Sequence, residues 1–155
     1  MKWIKLYEPS LIPPVYVERV KGRDYSVQEF YEFQEMNRHN PCNMLFGYVN
    51  YENEIKGYLW ANINALDSTM FINTLSVDKE FWGNGHVIDE AIEFLAKVQG
   101  KVEARKVLWC STNKRFFLNK GFKTSKIWLM EYDPKHDSCD KAEPNELKEV
   151  KDGTI

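Results

Sequence analysis

Val77-Asp78-Lys79-Glu80-Phe81-Trp82-Gly83-Asn84-Gly85-His86-Val87 lies between two apolar patterns of different period, and its reading decides the fold. Residues 70–77 before it read as a strand. Behind it Ile88, Ala91, Ile92, Leu95 and Val98 recur at helical spacing, the stripe of an amphipathic helix that Gly100 is placed to end. A glycine turn feeding a helix start presents free backbone N–H groups and the positive end of the helix dipole, a combination that binds phosphate. A phosphate-bearing cofactor is therefore the first hypothesis. The dinucleotide-binding pattern Gly-x-Gly-x-x-Gly is excluded, because its third glycine falls at Ile88.

Downstream, residues 106–110 read as a buried strand and 113–120 as a short helix closed by Gly121, with a last strand over 127–132. Upstream, residues 44–50 and 55–65 read as an antiparallel hairpin across the short link Tyr51-Glu-Asn-Glu54. Ser26-Val-Gln-Glu29 has the pattern of a capping box, and Phe30, Phe33 and Met36 follow it, so a helix is expected near 27–38, ending before Asn40-Pro41. The proline-marked beginning suggests short strands around 3–7 and 15–20. From Asp133 onward aromatic residues vanish and polar ones dominate, which reads as a flexible tail over 133–155.

This order of elements, with the glycine turn between the third core strand and the long helix, resembles the GNAT family of N-acetyltransferases. Two motifs carry the resemblance over about residues 44–132: Val77-x-x-Glu80-Phe81-x-Gly83-x-Gly85, and Phe116-Phe117-Leu-Asn-Lys-Gly121-Phe122. The resemblance implies an α/β (α+β) fold with a mixed, mostly antiparallel central sheet flanked by helices. It also implies an acyl-CoA-binding domain over 1–132 and transfer of an acetyl group from acetyl-CoA to an amine. Two central strands would splay, with the pantetheine arm of acetyl-CoA against the backbone of Leu75, Ser76 and Val77. The pyrophosphate would rest on Gly83, Asn84, Gly85, His86, Val87 and Ile88, and Cys110 and Phe117 would complete the cofactor site.

The chain departs from the family pattern at several of these positions. Trp82 stands where the loop usually carries Arg or Gln, and Val87 where a small residue lets the cofactor lie close. Phe117 replaces the tyrosine that protonates the departing thiolate, and Cys110 the asparagine that steadies the pantetheine. Asn73 and Thr74 occupy the usual place of a catalytic Glu or Asp. Glu80, Asp78 and Tyr58 remain as weak catalytic candidates, with no spacing that singles one out. Transfer from a thioester needs a positioned carbonyl, a polarising N–H and a neutral amine, and a dedicated base is dispensable when the amine loses its proton to water. The alternative is a catalytically silent module of the same fold that acts through protein–protein contacts.

The bulk properties agree with either reading. At 155 residues the chain is long enough to bury a core, and 9 Phe, 8 Tyr and 5 Trp supply one. A net charge of -2 argues against nucleic acid as a partner. No apolar run has the length of a membrane span, so a cytoplasmic monomer or homodimer is expected, with a small molecule or protein as amine acceptor. Three widely spaced cysteines fit reduced thiols. His39-Asn-Pro-Cys42 and His136-Asp-Ser-Cys139 have zinc-ligand spacing, but nothing else in the chain needs a metal to fold, and no metal is expected.

Overall fold

Ser26 opens its helix as the capping box requires: Oγ accepts from the Glu29 N–H at 3.0 Å, and Glu29 Oε1 accepts from the Ser26 N–H at 3.3 Å. This is a computed structural model that describes residues 1–83, 86–111, 114–126 and 129–134. The chain divides into two units, Met1–Gly121 and Phe122–Ile155. All regular secondary structure of the described residues falls in the first. Its strands are β1 (Lys2–Lys5), β2 (Asn43–Val49), β3 (Ile55–Asn64), β4 (Thr69–Val77) and β5 (Lys106–Trp109). Its helices are α1 (Pro14–Glu18), α2 (Val27–Met36), α3 (His86–Lys101) and α4 (Lys114–Asn119).

The sheet has the order β1-β2-β3-β4-β5. β1 to β4 pair antiparallel in sequence, and β5 runs parallel to β4, as the crossover through α3 demands. Alternation along the strands sends side chains to two covered faces. Phe46, Leu59, Ala61, Met70 and Ile72 pack with Val87, Ala91 and Leu95 of α3. Leu45 and Tyr58 face the other way, under Tyr16, Val17 and Phe30 of α1 and α2. Each large apolar side chain so buried contributes roughly 1.5–3 kcal/mol. The two faces together hold the mixed α/β layers.

Three expectations are corrected. The segment expected as a strand over 15–20 is α1 for most of its length: Pro14 at the first helical position presets φ for a helix turn, and burial of Tyr16 and Val17 outweighs the strand preference of the valines. Gly100 does not end α3. The helix runs through it to Lys101, and Glu103 takes the left-handed conformation (φ 53) while the Ala104 N–H bonds back to Gln99 O at 3.0 Å. The strand expected over 127–132 is not formed in its described part, 129–132; the first two residues and nearly all of the expected tail lie outside the described residues. Among the described residues no helix is long and apolar enough to cross a membrane.

β4 is not regular along its length. Between β3 and β4 the register slips: Trp60 pairs with Thr74 but Ala61 with Ile72, which leaves Asn73 as an extra residue in β4. Such a bulge bends its strand. On the other side of β4, pairing with β5 stops at Ile72–Trp109. From the bulge to Val77, then, β4 runs on without its parallel neighbour.

Candidate functional site

A cleft of about 690 Å³ opens along that unpaired half of β4. Leu75, Ser76 and Val77 form one wall, and Phe81, Trp82, Gly83, Val87 and Ile88 line it at the start of α3. Phe116 contributes from α4, and Arg19, Val20 and Lys21 from the segment behind α1. Gly83 adopts φ +83, where a side chain is strained, and a Cβ there would meet nothing within 4 Å. Trp82 is 59 % exposed, with its indole N–H on Val77 O at 3.2 Å, so the ring is fixed at the edge of the cleft. Gly57 lets β3 approach the wall closely: a Cβ on it would lie 2.7 Å from Ser76 O.

α1 is tied to the end of β4 by two hydrogen bonds. Ser76 Oγ donates to Tyr16 O at 2.6 Å, and the Tyr16 hydroxyl donates to Asp78 Oδ2 at 3.0 Å. Burial, then the bond to Asp78, pushes the Tyr16 hydroxyl up to about 12. Asp78 is held below the usual carboxylate range, first by the Glu80 N–H on its Oδ1 and then by Tyr16 and the charge of Arg19. It caps a single 3-10 turn, Lys79–Phe81. Of the described residues lining the cleft, Arg19 and Lys21 carry ionisable side chains and the rest do not. The cleft is thus mainly apolar with a positive rim, a chemistry suited to a ligand with a thin apolar arm and an anionic end.

The sequence-derived candidates distribute unevenly around this cleft. Leu75, Ser76, Val77, Gly83, Val87 and Ile88 line it, whereas His86 is exposed at the first residue of α3 and does not. Val87 is only 2 % exposed and belongs to the core beneath α3, so its branched side chain is spent on packing. Asn84 and Gly85 lie outside the described residues. Cys110 is exposed, and Phe117 packs on Trp109 with ring centroids 4.9 Å apart. Neither lines the cleft; Phe116 does.

The catalytic candidates are not gathered there either. Tyr58 is fully buried on the α1/α2 face, its hydroxyl without a partner and its pKa raised by burial. Glu80 is exposed outside the lining, and Asp78 has both oxygens engaged. Sequence reasoning missed Arg19, Lys21 and the cleft role of Phe116. Arg19 lies in a segment read as a strand and Lys21 directly follows it, and only the packing of that segment as α1 carries them to the cleft. Among the described residues no group of three His, Cys, Asp or Glu could hold a metal; of the zinc-spaced set, His136 and Cys139 lie outside them.

Comparison with known proteins places this architecture. The family model "Acetyltransferase (GNAT) family" matches residues 4–122. No curated protein matches the chain. Among solved structures, a possible acetyltransferase from Clostridium difficile 630 superposes with a TM-score of 0.69 at 10 % identity, covering 87 % of this chain and 98 % of that one. A predicted acetyltransferase with acetyl-CoA from Clostridium acetobutylicum gives 0.65 at 12 % identity, covering 88 % and 99 %. Glucosamine-6-phosphate N-acetyltransferase from Arabidopsis thaliana gives 0.60 at 21 % identity, covering 84 % and 97 %. Likeness at such low identity speaks for the fold and not for the substrate.

Proposed function

The chain belongs to the GNAT acetyltransferase family, and from that premise we propose that it binds acetyl-CoA and passes the acetyl group to an amine. The observation that carries this reading is the cleft where β4 outruns β5 in front of α3. Its size falls within the range of small-molecule sites, roughly 300–1,000 Å³. Its residues suit the ligand: Gly83 leaves open space, the helix start and the Arg19 and Lys21 charges favour an anion, and Leu75 and Phe116 favour an apolar arm.

Bound acetyl-CoA would supply an activated thioester; the chain supplies position. The Leu75–Val77 wall, bent out of line by the Asn73 bulge, would orient the acyl end. Phe81, Val87 and Ile88 would keep water off it. None of the described residues that line the cleft carries a carboxylate, imidazole or phenol, and the amine would give its proton to solvent. As the amine nitrogen bonds to the acyl carbon, the carbon–sulfur bond breaks and the thiolate takes a proton from water.

Calorimetric titration with acetyl-CoA tests this on three chains: wild type, Gly83→Ala and Gly83→Glu. Alanine shares the backbone strain at φ +83 but adds no charge, so the anion-specific loss is the difference between the two variants. Micromolar binding by wild type that survives in the alanine variant and disappears in the glutamate one is expected. A folded wild-type chain that does not bind acetyl-CoA refutes the proposal. Phe117, and Asn73 with Thr74, stand where the family carries its tyrosine and its carboxylate and favour one second reading, a silent binding module; binding without acetylation of any amine would select it.

A further inference from the structure

Arg19 follows the last residue of α1, and the ties from Tyr16 to Ser76 and Asp78 hold that helix against β4. Its guanidinium carbon stands 5.6 Å from the centroid of the Tyr16 ring and 6.0 Å from that of Trp82, so it lies between two aromatic rings. Nη1 is shut off from solvent and has no hydrogen-bond partner among the described residues. The carboxylate that feels its charge, Asp78, already accepts from Tyr16 on one oxygen and from the Glu80 N–H on the other. Arg19 thus lines the cleft with a guanidinium whose donors are not all used.

The surroundings define the chemistry of that acceptor. Arg19, Trp82 and Gly83 line the same cleft, and a second cation, the Lys79 ammonium, lies 6.0 Å from the Trp82 ring. Trp82 itself cannot neutralise an anion, but its ring is pinned through Val77 O and gives the guanidinium a platform. We propose that Arg19 is the cationic arm of the anion-binding end of the cleft and grips the pyrophosphate of acyl-CoA alongside Trp82. The assignment rests on the acetyl-CoA reading above and adds to it a residue distant in sequence from the glycine turn. The ammonium of Lys21 is exposed at the rim and plays the lesser, screened part.

The test is calorimetric titration with acetyl-CoA of wild type, Arg19→Gln and Arg19→Lys, over a roughly tenfold rise in ionic strength. Arg19→Gln is expected to weaken binding at low salt by about tenfold, which corresponds to about 1.4 kcal/mol, and to flatten the salt dependence. Arg19→Lys, which keeps the charge and loses the fork, recovers part of the affinity. Wild-type binding matched within about twofold by the glutamine variant, with the same salt slope, overturns the assignment and leaves the acetyl-CoA site standing. Salt-independent binding by wild type overturns it without recourse to any variant. A wild-type chain that binds no acetyl-CoA removes the cofactor reading and this inference together.

Discussion

Gly57→Ala probes the wall of the cleft from behind. A Cβ on Gly57 would lie 2.7 Å from Ser76 O, 2.7 Å from Val77 Cγ1 and 2.9 Å from Val77 Cα. Ordinary carbon–oxygen and carbon–carbon contacts begin at about 3.3–3.5 Å, so β4 must withdraw by about half an ångström or more. The direction of withdrawal is set by topology. Past Ile72 no β5 partner opposes β4, so the displaced segment moves into the cleft. Gly57 is not among the positive-φ glycines, and alanine meets no backbone objection, which makes the perturbation steric. Overpacking costs roughly 1–3 kcal/mol, offset by about 0.4–1 kcal/mol from a less flexible unfolded chain. The net of about 1–2 kcal/mol should lower Tm by roughly 2–8 °C for a chain of this size. A thermal melt followed by circular dichroism reads the stability, and titration with acetyl-CoA reads the cleft, where affinity should fall. Adding Val77→Ala removes one of the three clashing atoms and should recover part of the melting temperature. An unchanged Tm together with unchanged affinity would refute both the close approach and the claim that this segment of β4 forms the wall.

The ties around α1 and α2 give two further expected outcomes. Ser26→Ala removes one half of an exposed capping box and should cost about 1 kcal/mol, seen as a fall of roughly 2–4 °C in Tm with acetyl-CoA affinity unchanged. Tyr16→Phe removes the hydroxyl that Asp78 accepts from, and the variant should melt below wild type at neutral pH. Because the folded state raises the tyrosine from 10.0 to about 12, its contribution is complete below pH 10 and is lost as pH climbs from there through 12. The gap in Tm between the two chains should therefore hold steady up to about pH 10 and narrow above it; a gap that widens contradicts the bond.

Much of the fold was legible because its signals are local. Ser26 and Glu29 are three residues apart and meet whatever surrounds them, and Tyr51–Glu54 closes a hairpin because Asn50 Oδ1 accepts from the N–H groups of Glu52 and Glu54. Ala91 and Leu95 of the stripe read over 88–98 are buried on α3, and Val87, read as part of the turn, is buried with them. The candidate site was legible where it lies on the quoted turn and the residues directly beside it, Leu75, Ser76 and Ile88. Alternation on β3 places Tyr58 on the α1/α2 face, and of the neighbours Phe116 and Phe117 it is Phe116 that lines the cleft. Val15–Val20 carry a strand composition, and burial against the sheet overrides it.

By itself, then, the sequence determined the order of the elements from α2 to α4, the antiparallel hairpin, the glycine turn before α3 and the family to which these belong, since each rests on groups within a few residues of one another. Tertiary structure alone decided what bends the wall of the cleft and what charges it. The bulge at Asn73 exists only in the pairing of β3 with β4, and β5 parts from β4 only because its short strand ends at Trp109. Arg19 reaches Trp82 only because two hydrogen bonds hold α1 on the end of β4. Contacts across such separations depend on how whole elements pack, and no local pattern of residue types encodes that distance.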